Sequence, residues 1–579
     1  MTVARNEDVA ALAVRFGADM GARKDEIAVI NERLDISPIM FSGATQTAMI
    51  QAAINYAAAQ GGGDIALLGR TWDIVNIGTV SAPGRQVGLL LKPGVILKGG
   101  RLRRGGTDMK FDLVRGEGGG IYPDVADQMG IRDVSIDGCA RNRIDGEGGT
   151  GFNNDGFNLY LLNIKNPVCE GIISKDPASW GIRIERCTGG AFINRITCDH
   201  GADVNADGVH FVDCSNITGH GFEIVTEGDD GFIVEAKNHD VENNTFTGIT
   251  VRSIASGVVS ARRPILILRD TKIGTTLRRI RNNTLEAVTS DSPYPALVLD
   301  TGACEVENNT FSVNSLRCQY GAQIQAGSPL APGYVRNNTF IITASDTKST
   351  GLMTNIVGAS VLSGNKIEAT ITNPADGTVG ASLRGSRWTG SIVVNYDPNG
   401  TKANKLHGVD LLVTDSTLMC ESRGAKNNLY LRDGCARNTI NLGSLQDATD
   451  FDVNVTGSAV DTVFLGGSLS GSVSAPSQLR FIGTLGANTV VFSSPLITDC
   501  TDLDLSTRAT GTYRTGDTIT TAGTWPGAKT GFQRTGILRV TRYDTGTMMQ
   551  EWLSIGAEEI WFRRYTAGAF GAWRKVTAA

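Results

Sequence analysis

Residues 179–234 read SWGIRIERCTGGAFINRITCDHGADVNADGVHFVDCSNITGHGFEIVTEGDDGFIV, and in this stretch Gly181, Gly208 and Gly231 each precede an apolar, any, apolar triplet. Working outward, the pattern occurs again at Gly156 in NDGFNL and, more weakly, at Gly257 in ASGVVS, so the steps are 25, 27, 23 and 26 residues. Further copies stand at Gly321, Gly351 and Gly380, with Ala296 filling the place after Gly257, where the longer step marks an inserted loop. A second marker keeps pace: NNTF at 243–246, NNTL at 282–285, NNTF at 308–311 and 337–340, then GNKI at 364–367. From Gly231, Ala296, Gly321 and Gly351 to the second asparagine the offset is 13, 13, 17 and 14 residues. Recurrence in register reads as a turn asparagine rather than a glycosylation sequon. Units of this length, rich in strand signals and lacking helical segments, predict an all-β chain built as a right-handed parallel β-helix. With strands stacked about 4.8 Å apart, some fifteen coils would span roughly 70 Å.

The flanks differ from this repeat. ATQTAMIQAAINYAAAQ (44–60) places Ala48, Met49, Ala52, Ala53 and Tyr56 at helical spacing before GGGD stops it, which predicts a capping helix over the open first coil. Beyond about residue 390 the period weakens, and Trp525, Trp552, Trp561 and Trp573 gather near the end, predicting a small β-domain with its own aromatic core. The expected divisions are 1–40 as an attachment segment, 41–390 as the β-helix, 391–505 as a distal β-rich trimerisation region and 506–579 as the terminal domain. The 71 glycines among 579 residues, beside 16 prolines, fit frequent turns but not collagen. A net charge of −5 with 41% hydrophobic residues excludes a disordered chain and argues against nucleic acid as main partner. No apolar run suits a bilayer span or a signal peptide, so neither membrane insertion nor export by a leader is expected. The ten cysteines form no CxxC pair and read as buried thiols.

The glycine register brings chemistry together. Immediately before the glycines stand Asp155, Trp180, Asp207, Asp230 and Ser256, and Asp229 precedes Asp230. Asp207 is thus expected to stack over the Asp229 and Asp230 pair, with Trp180 one coil away. Residues 199–240 also hold seven aspartates and four of the five histidines. Carboxylates this close repel, favouring one protonated acid beside an ionised base, the division of labour that glycoside hydrolysis requires. Two residues past the glycines, Asn158, Arg183 and His210 should point outward and suit contacts with hydroxyls or acidic sugars. His220 reads as an incidental loop residue. No metal or cofactor is expected, since His200, Asp203 and Asp207 match no ligand spacing.

SWGIRIERC, NADGVHF and GDDGFIV resemble the polygalacturonase group of pectate-lyase-like β-helix glycosidases, whose pattern is SWxI, NTDG and DDxI on successive coils. The resemblance implies an inverting hydrolysis with Asp229 as general acid and Asp207 and Asp230 activating water. Asn205 matches the asparagine opening the motif, and Trp180, Arg183, His210 and Asp155 are the expected substrate contacts. Ala206 replaces the family's threonine, no GHG follows the aspartate pair, and no RIK follows either. The pieces that hold galacturonate are therefore the missing ones.

The leading segment, capping helix, β-helix and tryptophan-rich end together resemble bacteriophage tailspikes, and TGTYRTGDT through WRKV resembles the knob at the tip of pyocin and phage tail fibres. That implies a homotrimer on the virion, joined to the phage tail or baseplate through its N-terminus and acting on a bacterial surface polysaccharide. Three functions follow: an endo-acting hydrolase, a polysaccharide lyase using His210 with Arg183, or a non-enzymatic adhesin.

Overall fold

A computed structural model describes residues 36–81, 85–106, 111–118, 128–139, 156–190, 193–200, 207–226, 230–253, 263–269, 277–302, 304–327, 332–397 and 406–456, with shorter pieces between 462 and 575. The architecture is all-β, a right-handed parallel β-helix. The chain forms two compact units, Met1–Val234 with Asn243–Ser260 and Glu235–Glu242 with Ala261–Ala579. The proposed attachment segment up to residue 35 lies outside the described residues.

In the first unit, helix α1 (Gln46–Ala59) begins at Thr45, whose side chain accepts from the Ala48 N–H at 3.1 Å. Its buried face is Thr47, Ile50, Ala53, Ile54 and Ala57, whereas Tyr56 is 49% exposed. This corrects the expected face: Ile50, Ala53, Ile54 and Ala57 form an i, i+3, i+4, i+7 stripe that is more apolar because it holds both isoleucines. Gln51 accepts from the Leu90 N–H at 2.8 Å and donates to the Leu90 carbonyl at 2.9 Å, while Thr47 Oγ1 accepts from the Val75 N–H at 2.8 Å. Side chains of the helix thereby satisfy backbone groups of the strands it covers.

Parallel pairing then builds the coils. On one face Val95–Arg104, Met129–Asp137, Pro167–Lys175, Ile193–His200, Thr218–Thr226 and Thr245–Ser253 follow one another. On another, Arg85–Leu91, Asp112–Glu117, Leu159–Leu162, Ile182–Glu185 and Val209–Val212 do so. Phe211, Phe222, Phe232 and Phe246 pack inside, with centroids 4.4 Å apart for Phe211 and Phe246 and an edge-on pair at 5.1 Å for Phe222 and Phe232. Burying each contributes about 1.5–3 kcal/mol. Gly208 is required by close approach, because a Cβ there would sit 2.3 Å from the Gly231 carbonyl oxygen.

The register corrects one reading of the repeat. Leu159 pairs with Ile182 and Ile182 with Val209, so Asn158, not Gly156, stands beside Gly181, and Phe157 stands beside Trp180. A two-residue slip keeps every side chain on its own face, so alternation could not detect it. His220 also proves to be a strand residue, in register between Asn194 and Thr247, with Nδ1 2.9 Å from Thr247 Oγ1.

In the second unit Ile265, Leu297, Ala322, Leu352, Ala381 and Val409 pair in succession. Ala296, Gly321, Gly351 and Gly380 therefore share one column as expected. Pro264, rather than Gly257, occupies the preceding place, and Gly257 lies outside the described residues. The NNT marker splits into two roles. The first asparagine takes a left-handed φ of 56° at Asn282, Asn308 and Asn337. The second builds a buried ladder in which Asn283, Asn309 and Asn338 each donate, from backbone N–H and Nδ2, to the Oδ1 of the next asparagine at 2.9–3.0 Å, ending at Asn365. Parallel pairing continues past residue 390: Thr389–Asn395 pairs with Thr417–Arg423, and that strand with Thr439–Gln446. The stack persists although the marker fades, because Ser416 and Asn438 carry the same side-chain bonds to the N–H groups of Trp388 and Ser416.

The terminal strands Gly511–Thr515, Gly536–Arg542, Thr547–Ser554 and Glu559–Thr566 pair antiparallel. Leu503, Leu538, Val540, Met548 and Trp552 form their buried core, with Trp525, Trp561 and Trp573 packed against it. The nine described cysteines are buried thiols, and burial raises the Cys187 thiol to about 12. Among the described residues no helix is long and apolar enough to cross a membrane.

Candidate active site

The strands Leu159–Leu162, Ile182–Glu185 and Val209–Val212 send Ile182, Ile184, Val209 and Phe211 inward. At the turn before them, backbone bonds hold successive coils in step. The Gly181 N–H donates to the Asp207 carbonyl at 2.8 Å, and the Gly208 N–H donates to the Asp230 carbonyl at 2.9 Å. Trp180, Asp207 and Asp230 therefore occupy one register position on neighbouring coils, as the glycine spacing predicted. The Asp230 N–H also donates to Asp207 Oδ1 at 3.3 Å, and His210 Nδ1 lies 3.2 Å from Asp207 Oδ2. This last approach is not an aligned hydrogen bond. Asp207 and Asp230 are 3% and 5% exposed.

Beside this pair runs a column of outward side chains. Arg115, Tyr160, Arg183 and His210 share one register position on four coils. Tyr160 thus takes the place expected for Asn158, which is fully buried and donates to Ser174 Oγ and the Lys175 carbonyl. Arg183 and His210 do point away from the interior, but both are buried and engaged. Arg183 Nη2 lies 2.7 Å from Glu185 Oε2, which also accepts from the Tyr160 hydroxyl at 2.7 Å. Arg115 pairs with Asp112 at 3.1 Å and with Glu117. The Trp180 ring stacks on Phe157 at 5.4 Å, lies 4.7 Å from the His210 ring and carries the Arg183 guanidinium at 4.6 Å.

Burial alone would raise the Glu185 carboxyl, but Arg183 and the hydrogen bonds from Tyr160 and Arg183 outweigh it, and the group sits below its ordinary 4.5. Desolvation and the adjacent Glu185 charge, in turn, raise the Tyr160 phenol. A carboxyl depressed by folding stabilises the fold above its unfolded pKa and loses that contribution as pH falls through its folded one. Glu185→Gln should lower stability at neutral pH by roughly 3–5 kcal/mol, since it leaves Arg183 without its counter-charge. Below the ordinary value of 4.5 the wild type should lose stability more steeply than the variant. Thermal melts across that range check both expectations.

Of the residues expected at the site, Asp207, Asp230, Trp180, Arg183 and His210 come together. Asp229, Asn205 and Asp155 lie outside the described residues, and the register of Leu159 removes the basis for setting Asp155 beside Trp180. Tyr160, Glu185 and Arg115 were missed; the signal available was that LYLL and IRIE align without a gap once Leu159 is set against Ile182. Among the described residues no group of His, Cys, Asp and Glu could hold a metal ion.

Fold and site define a parallel β-helix protein with a carboxylate pair on adjacent coils. No protein-family model matches the chain, and no curated protein matches it. Among solved structures it is similar to a mutant tailspike protein of E. coli bacteriophage HK620 in complex with pentasaccharide, at 12% identity and a TM-score of 0.43, over 94% of this chain and 90% of that one. It is similar to the family 28 exopolygalacturonase of Yersinia enterocolitica, at 12% identity and a TM-score of 0.37, over 78% of each chain. The A-module of the Azotobacter vinelandii mannuronan C-5 epimerase AlgE6 matches at 17% identity and a TM-score of 0.29, over 77% of this chain and all of that one.

Proposed function

We propose that this protein binds and cleaves a bacterial surface polysaccharide as a tailspike-type depolymerase, by inverting endo-hydrolysis. Asp229 is the general acid, and Asp207 with Asp230 orients and deprotonates the attacking water. The observation that supports this most directly is the Asp207 and Asp230 pair, held on adjacent coils at one register position with a 3.3 Å bond from the Asp230 N–H to the Asp207 carboxylate. That bond engages one oxygen of Asp207, and His210 Nδ1 lies 3.2 Å from the other. The rest of the proposal is a homotrimer attached to the virion through its N-terminus, with the terminal sheet as a receptor-contacting knob.

Elimination on the same scaffold would ask Arg183 to neutralise a uronate carboxylate, but Glu185 already holds that guanidinium at 2.7 Å. The observation favours hydrolysis. Incubating the protein with purified capsular and O-antigen polysaccharides, followed by mass spectrometry of the fragments, tests the reading. Fragments that have gained water are expected. Unsaturated ends would establish a lyase, and binding without fragments an adhesin.

A further inference from the structure

We propose that the outer face of the terminal sheet docks on the headgroup layer of a negatively charged lipid surface. This gives a partner to the receptor-contacting role proposed above for the sheet and rests on that role, but not on the chemistry of Asp207 and Asp230. Alternation gives each strand two faces. Leu538, Val540, Met548 and Trp552 lie on the one that forms the core. On the other, Ile537 pairs with Leu553 and Leu553 with Ile560, a row across three strands, and Phe562 follows Ile560 on the same side. Leu553, Ile560 and Phe562 are 37–38% exposed, and Met549, also on this face, is 40% exposed. An antiparallel sheet with one solvated face ordinarily turns polar residues outward. A second apolar face calls for a cover.

The charges around the row define what covers it. Arg539, Arg564 and Arg574 stand on this face by their pairing with Glu551, Met549 and Phe562, and all three are exposed. Over Gly536–Arg542, Thr547–Ser554 and Glu559–Thr566 the register places one carboxylate there, Glu551, which lies 3.5 Å from Arg539. Apolar side chains ringed by guanidiniums match the boundary between acyl chains and phosphates, where both kinds of group find partners. A hydrated polysaccharide would leave the isoleucine and leucine side chains with nothing to bury against. A second copy of the same face would set guanidinium against guanidinium.

Co-flotation of the full-length protein with vesicles tests this, comparing an equimolar mixture of phosphatidylethanolamine and phosphatidylglycerol with phosphatidylcholine alone. Binding about tenfold tighter to the anionic vesicles, and weakened by salt, is expected. Replacing both Arg564→Gln and Arg574→Gln should lose about tenfold in that binding. Replacing both Ile560→Thr and Phe562→Thr should lose at least as much, and neither pair should move the melting temperature, since these side chains face away from the core. Equal binding to the two vesicles would overturn the lipid assignment, as would a glutamine variant that binds like the wild type. A threonine variant whose oligomeric state changes in light scattering would also overturn it, making the face a contact between copies. Variants that bind vesicles normally but lose purified capsular or O-antigen polysaccharide would overturn it and leave the receptor role standing. Variants unchanged towards both would remove the receptor role as well.

Discussion

Asp229→Asn is expected to leave a susceptible polysaccharide at its original chain length, with cleavage slowed by roughly 10²–10⁴-fold, the usual contribution of a general acid. The asparagine is close in size but has no proton to give the departing glycosidic oxygen. Polymer binding and the melting temperature should stay at wild-type values. Size-exclusion chromatography of the polymer over time gives the rate, and near-normal turnover would dismiss Asp229 and most of this mechanism. Asp207→Asn should lose activity too, with a different signature. An asparagine there can still accept from the Asp230 N–H but replaces the carboxylate oxygen facing His210 in a buried setting, so the change should also lower the melting temperature. Loss of activity in both variants, with loss of stability in only one, separates chemistry from support.

Asn338→Leu should be strongly destabilising. Asn338 Oδ1 accepts from both the N–H and the Nδ2 of Asn309. Its own Nδ2 donates to the carbonyls of Val306 and Arg336 and to Asn365 Oδ1. Leucine removes these five bonds, at about 0.5–1.5 kcal/mol each, and leaves the buried Asn309 N–H without its acceptor, roughly 4–6 kcal/mol in all. Asn337→Gly, one residue earlier, is the matched control. Its φ of 56° suits glycine, so the change should stay within about 0.5 kcal/mol. Urea unfolding of the two variants reads the contrast, and equal effects would mean that the ladder contributes no more than an ordinary turn.

The ladder also shows how much a sequence can carry. NNT recurs because one turn needs two asparagines for different reasons, the first for its left-handed backbone and the second for its inward amide. The glycine column was legible for a similar reason, since a Cβ at Gly208 would meet the neighbouring coil. Asp207 and Asp230 could then be set on adjacent coils by counting from Gly208 and Gly231. Where no such steric demand exists, counting failed. Gly156 has the right neighbours yet stands two residues out of register, and α1 buries Ile50 and Ile54 while Tyr56 stays exposed.

What the sequence by itself determined is the repeat, because steric crowding and buried amide bonding restrict one residue type at one point of every coil. Only the tertiary structure decided what surrounds the aspartates: Tyr160 rather than Asn158 beside Arg183, Glu185 holding that arginine, and Trp180 enclosed by its neighbours. The connections between coils vary in length, and a slip of two residues preserves the facing of every side chain. Hydrophobic pattern alone therefore could not tell which outward side chains would meet.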